Sequence, residues 1–526
     1  MERLLSVLAV AAAVCACNPL GFFNSRGEEV DNQETLSHGM IVLGPRLEDP
    51  YSVENITKAL ASLYPTKAET VNVPTTHLYV RFLPSGEEQF EQLQGLGVDL
   101  LDHPVDFKIE REGDYYHDPD IPDGDITWQY AVVPPDFVFP AGIKYEVLDK
   151  CHITEVQPAV RSVDGIDWEE VERESFRLTG NEDLLLPRTK AGEESVVPEG
   201  RITIVDEYRE NSPIGVAGVR VSCNTFVKFA HTFTDGDGYY KMGKSFSSKP
   251  RYRLVFKNKK GFAIGLNLLL VPASVSTLGK QEQAGCSVQI DKYSNRALFT
   301  RCVVNNAGWD YYEKCKSVSG SICTPPGNLR IWIFDILRAS SCVMMQQGVG
   351  IDNTIVGEYL GEYSSIVKHF LPDLTLGLKD AGNYASIYAT TIHEMAHASH
   401  FMQAGSDYWN KLEEFILTSF VSSGFVTYGV GTEKDHGYCE VAEMWAYYMQ
   451  TRLYRERYPE SDVAFGTSYW FYPQIFNYLD ERGLTCYKAF NALQPTVIDR
   501  DLLQEKLVNL YPEAKTMILL AFNRYR

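Results

Sequence analysis

No two of the 11 cysteines are spaced C-x-x-C, so the chain offers neither a zinc ribbon nor a thioredoxin-type redox motif. Long apolar runs are scarce as well. Leu4–Ala16 has 13 residues, short of the roughly 20 that a membrane-spanning helix needs, and no other stretch is long and apolar enough to cross a bilayer. Positive charge is also in deficit: 49 Lys and Arg face 69 Asp and Glu, a formal net charge of −20. That balance argues against a nucleic-acid partner and against electrostatic docking on anionic lipid heads. The acidic run Asp118–Asp125 lacks the ligand order of an EF-hand and reads as a solvated turn. What remains is ample material for cores: 526 residues, 44% of them hydrophobic, enough for about three domains.

Histidine is rare, with 11 in the chain, yet His393-Glu394-Met395-Ala396-His397 spells H-E-x-x-H. At this composition chance supplies such a match at most ~0.03 times per chain. On a helix, positions i and i+4 lie one above the other, so both imidazoles can reach one ion, while Glu394, about 100° round the axis, addresses a water at that ion. Tyr388, Ile392, Met395, Ala398 and Met402 recur at helical spacing on the opposite side, and Gly405 stands where a helix is capped. Leu374–Leu378 reads as a short strand just before this helix.

A catalytic zinc site needs a third protein ligand and an open position. His400, seven residues after His393, lies roughly 10 Å along the axis and reads as outer-shell or surface. It also stands where a metzincin has Gly, and Gln403 where a metzincin has its third His, which excludes that class. The segment from His436 to Tyr448 carries Val441, Met444, Trp445 and Tyr448 on one helical face, together with Glu440 and Glu443 one turn apart. Glu443-Met444-Trp445-Ala446-Tyr447-Tyr448 resembles the E-x-aromatic-A-x-Tyr stretch of the gluzincins, peptidases in which a Glu on a second helix completes an H-E-x-x-H site. The resemblance implies Glu443 as the third zinc ligand, with Glu440 as the alternative, and Glu394 as general base for peptide-bond hydrolysis. It also implies that an extended peptide or protein substrate lies along the strand before the metal helix. His436, Tyr438 and Tyr447 are candidate donors to the oxyanion. One departure stands out: thermolysin-type helices carry a second acid four residues after the ligand, where this chain has Tyr447.

The first residues suggest where the protein works. Behind Met1-Glu2-Arg3, the apolar run ends in Val14-Cys15-Ala16-Cys17. Residues 1–16 read as a signal peptide, and the ending resembles a bacterial lipobox, which implies lipid attachment at Cys17 and tethering at the cell envelope by lipid alone. The chain as a whole resembles the lipid-anchored zinc metallopeptidases of Gram-negative bacteria, whose outer-membrane lipoproteins face the periplasm or the cell surface. Nine further cysteines include five between Cys286 and Cys342; disulfides can form there, and an odd count leaves one thiol over or joined between chains.

The expected layout is multidomain. Residues 17–70 read as a tether leading into a helix near Asn55–Leu63, 71–175 as a small α+β domain, 176–198 as a linker, 199–272 as a separate β-sandwich and 276–526 as an α+β zincin-like domain. Within the sandwich, Pro213–Val221 and Thr234-Asp235-Gly236-Asp237-Gly238-Tyr239-Tyr240 resemble the carboxypeptidase-regulatory-like domain, a transthyretin-like fold of the immunoglobulin-like sandwich class. That resemblance implies a positioning module whose Asp235 and Asp237 form a turn. Two functions are open at this level: an active zinc peptidase, or a lipid-anchored binding or adhesion protein with an inactive peptidase-like domain.

Overall fold

The computed structural model describes residues 39–525, apart from 69, 123–124, 155–164, 188–194, 267–272, 281–284, 317–321, 335–337, 350–370 and 423–427. Residues 1–16, expected as a signal peptide, and Cys17 lie outside the described residues. The chain is a multidomain protein of mixed α and β content. At its N-terminal end, strand β1 (Val42–Arg46) pairs antiparallel with β3 (Phe107–Arg111), while β2 (His77–Leu83) is central in a sheet of order β4-β2-β5, with β4 at Gln129–Val133 and β5 at Lys144–Cys151. Helices α1 (Val53–Leu63), α2 (Glu87–Gly95) and α3 (Trp168–Leu178) belong to this region. Alternation along β2 buries Val80 and Phe82 in one core with Leu93 of α2.

Two expected boundaries shift here. The helix expected near Asn55–Leu63 is α1, but the tether before it is already structured at β1, which forms a ladder with β3. The linker expected over 176–198 begins inside α3, and Phe176, Leu184 and Leu186 are buried. Phe176 and Leu184 share a core cluster with Tyr51 and Trp128, a packing role that linker-like composition does not disclose.

The sandwich has strands β6 (Glu199–Ile204), β7 (Ile214–Gly215), β8 (Arg220–Thr225), β9 (Lys228–Phe233), β10 (Tyr239–Lys241), β11 (Arg251–Val255), β13 (Val275–Lys280) and β14 (Val288–Ile290). One sheet runs β10-β6-β14 with β7 on β6, the other β13-β11-β8-β9. Asp235 Oδ1 accepts from the amides of Asp237 and Tyr239, both at 2.9 Å, so this acid forms the turn. The expected break at 272–276 is not where the sheets divide. Strand β12 (Ala263–Leu266) leaves the sandwich to pair parallel with β15 (Arg330–Phe334), and β13 and β14 return to it. The sandwich over 199–272 is therefore not a separate unit, since one sheet lacks an edge without β13 and the other without β14.

In the C-terminal region the sheet order is β12-β15-β17-β16, with β17 at Leu374–Gly377 and β16 at Ser341–Cys342; the first three strands are parallel and β16 is antiparallel. Strand β17 is thus interior, and among the described residues β12 and β16 form the two edges. Helices α4 (Arg296–Lys316), α5 (Tyr384–Ala404), α6 (Ser406–Ser422) and α7 (His436–Arg457) follow the strands, with α5 packed against α4 and α7. The Trp445 indole donates to the Ala396 carbonyl at 3.1 Å, fixing the register of α7 on α5. Arg457, at the end of α7, pairs with buried Asp206 at 2.8 Å and Asp310 at 3.2 Å beneath the rings of Tyr384 and Tyr388, tying this domain to the sandwich.

Candidate metal centre

Helix α5 starts from a capping box: Asn383 accepts from the Ser386 amide at 2.9 Å, and the Ser386 hydroxyl accepts from the Asn383 amide at 3.3 Å. It ends at Gly405, whose φ of 83° suits glycine. Of the expected apolar stripe, Tyr388, Ile392, Met395 and Ala398 are buried, whereas Met402, near the helix end, is 47% exposed.

His393, His397 and Glu443 meet between α5 and α7, all buried. Their Nε2 atoms are 3.2 Å apart; Glu443 Oε2 lies 3.3 Å from His393 Nε2 and Glu443 Oε1 3.2 Å from His397 Nε2. A tetrahedral ion with bonds of about 2.0–2.1 Å holds its donors roughly 3.3 Å apart, so the three groups fit a metal ion of that kind. Glu443 Oε2 has no hydrogen-bond partner, and neither does His397 Nδ1. Burial opposes the charge on Glu443, but His397 and His393 outweigh it and hold the carboxyl down to about 2, in the form that ligates. The other candidate, Glu440, faces away and accepts from the Arg500 amide at 3.2 Å. His400 is neither ligand nor surface residue: it is fully buried, its ring lies 5.0 Å from Tyr408 and 5.5 Å from Trp409, and burial pushes it down to about 3, so it stays neutral.

Glu394 is buried beside the triad with Oε2 unpartnered. Burial pushes its carboxyl up to about 8, with His393 pulling down and Glu443 pushing up. Of the three expected oxyanion donors, only Tyr447 reaches the triad, with its ring 4.4 Å from that of His393. His436 instead sits against Trp470, bonded to the Glu433 carbonyl at 2.7 Å, and Tyr438 packs on Tyr408. Helical geometry explains the difference: Tyr447 follows Glu443 by four residues and shares its face, whereas His436 precedes it by seven, about 10 Å away along the axis.

Two residues at the site escaped the sequence reading. Gln450 Oε1 lies 3.2 Å from His393 Nδ1; the ring's N–H donates there, leaving Nε2 to face the other ligands. Its place seven residues after Glu443 put it on the ligand face. Glu413 of α6 is buried with one oxygen unpartnered, its carboxyl pushed well up by burial and by Glu394 and Glu443. An acid between Trp409, Leu412 and Ile416, on the apolar stripe of an amphipathic helix, was the available clue. The disulfides that the sequence left possible do not form among the described residues: the nine cysteines from Cys151 to Cys486 are unpaired and mostly buried.

No family model, curated protein or solved structure matches the chain.

Proposed function

We propose that the protein is a zinc-dependent peptidase of gluzincin type, held at the cell envelope by a lipid on Cys17. The observation that carries this reading is the convergence of His393, His397 and Glu443 on one point, with the unpartnered Oε2 of Glu394 beside them. Two imidazoles and a carboxylate form a recurrent ligand set of catalytic zinc, and the charge of a bound zinc would favour the ionised form of Glu394 that hydrolysis requires as base. A bound zinc supplies Lewis-acid polarisation of the scissile carbonyl and lowers the pKa of a water. Glu394 takes the proton of the attacking water on its free oxygen and passes it to the departing amine. Tyr447, whose ring lies 4.4 Å from that of His393, is the donor assigned to the developing oxyanion.

The test measures metal content and turnover on a peptide library for wild type, Glu394→Gln, His393→Ala and His397→Ala. Glu394→Gln is expected to retain zinc and lose ~10² or more in rate, whereas each histidine variant loses metal and activity together. Wild type that binds zinc and cleaves no peptide would overturn the peptidase reading in favour of a binding protein. For the anchor, Cys17→Ala should shift the protein from membrane to soluble fractions; unchanged fractionation would refute lipidation.

A further inference from the structure

Arg253 is 3% exposed, yet only its Nη2 has a partner, Asn224 Oδ1 at 2.9 Å; its Nε and Nη1 have none. A buried guanidinium with two unmet donors is costly to keep, and such groups are ordinarily paired. Burial and neighbouring Arg251 push it down to about 10, so it remains a cation at neutral pH. The residue lies on β11, whose residues alternate between the faces of the sheet: Tyr252 and Leu254 enter the sandwich core, while Arg251, Arg253 and Val255 face the N-terminal domain.

Between that face and the N-terminal domain lies a cavity of about 300 Å³, at the lower end of the range for small-molecule sites. The carboxylates on its wall are already engaged: Asp99 by Arg220 and His231, Glu112 by Arg251, Asp114 by Arg301 and Asp102 by His103. None of them hydrogen-bonds Arg253, and only Asp102 and Asp99 act on its charge from a distance. The nearby Lys257 ammonium adds positive charge, bonded only to the Gln94 amide oxygen at 3.1 Å. Arg220 also leaves its Nε unpartnered. Apolar wall is supplied by Phe90, Phe229 and Phe233. A buried guanidinium with two unmet donors beside aromatic surface asks for an anion with an apolar body.

We propose that this interdomain cavity binds a small organic carboxylate, its charge received by Arg253 and its apolar part lying against Phe90, Phe229 and Phe233. No residue of the metal centre lines the cavity, so this site stands or falls independently of the peptidase reading. Because both domains contribute walls, occupancy stiffens their junction and raises the melting temperature by mass action.

The test is calorimetric titration of the full chain with butyrate, benzoate and phenylacetate, beside phenylacetamide and sulfate. At least one acid is expected to bind saturably, at least 10-fold more tightly than phenylacetamide or sulfate, and to raise the melting temperature. Arg253→Met should weaken that binding at least 10-fold with zinc content unchanged, and Arg253→Lys, which keeps the charge but not the fork, by less. Should Arg253→Met fail to fold by circular dichroism, Ala273→Leu, which narrows the cavity, should abolish binding instead. The proposal is overturned if none of the acids binds up to about 10 mM. Amide or sulfate binding as tight as the acids, or folded Arg253 and Ala273 variants that bind like wild type, would overturn it equally.

Discussion

At the scale of the residue, the candidate metal centre is defined by what each side chain is denied. Glu394 has no cation partner for Oε2, whereas Glu443, set between two imidazoles, is held ionised. Two neighbouring carboxylates thus take opposite protonation tendencies, which suits a proton carrier and a ligand respectively. Gln450 adds orientation: its carbonyl oxygen fixes which nitrogen of His393 carries the proton. Replacing it with Leu is expected to weaken zinc binding by roughly 10-fold or more, with Glu440→Ala in parallel as a control that changes affinity little because Glu440 faces Arg500. A competitive metal titration reads both; equal losses for the two variants would remove the ligand-orienting role.

At the scale of the element, the H-E-x-x-H helix was legible because its spacing is the helix period and both ends carry local stop signals, Asn383 and Gly405. The capping box at Asn383 is worth about 1 kcal/mol. Asn383→Ala should lower unfolding free energy by about that amount while leaving zinc affinity near wild type, since the histidines lie roughly three to four turns further on; chemical denaturation and metal titration together check it. The helix carrying Glu443 was legible for the same reason. Which of its polar side chains reach the site was legible only in part: Tyr447 and Gln450 share the face of Glu443, but His436 and Tyr438 were nearer in type to expected donors than in place. Strand β12 could not be read at all as a member of its sheet, because Ala263–Leu266 pairs with Arg330–Phe334, more than 60 residues on, and local pattern does not encode partner choice.

At the scale of the whole molecule, the domains are joined by buried polar contacts rather than separated by linkers. Glu172 of α3 holds Lys228 of β9 at 3.2 Å and accepts from the Tyr51 hydroxyl at 3.0 Å, while Arg457 and Asp206 join sandwich to C-terminal helices. Breaking such a pair leaves a buried charge alone, so these contacts specify arrangement more than they add stability. A further buried acid sets a pH dependence. Asp49 accepts from the Tyr51 amide at 2.9 Å, its other oxygen is unpartnered, and burial pushes its carboxyl up to about 7. An unfolded Asp titrates near 4, so between about pH 4 and 7 the native state holds a proton that the unfolded state has released, and this group's contribution to stability falls as pH rises through that window. Asp49→Asn should flatten this part of the profile. Denaturant unfolding at pH 5 and 7.5 is the measurement, and an unchanged difference between the two pH values would exclude Asp49 as the source.

By itself, the sequence determined the H-E-x-x-H helix, its two histidines, the acid between them and the mixed multidomain plan, because each is written in spacing within one element or in composition. The choice of Glu443 over Glu440, the recruitment of Gln450, Glu413 and Tyr447, the exchange of β12 for β13 and β14 across an expected boundary, and the unpaired state of the cysteines were decided only in the tertiary structure. The reason is physical: side chains one turn apart on a helix are equivalent until a second element covers one of them, and the packing of distant elements selects which polar groups are buried together and which meet solvent.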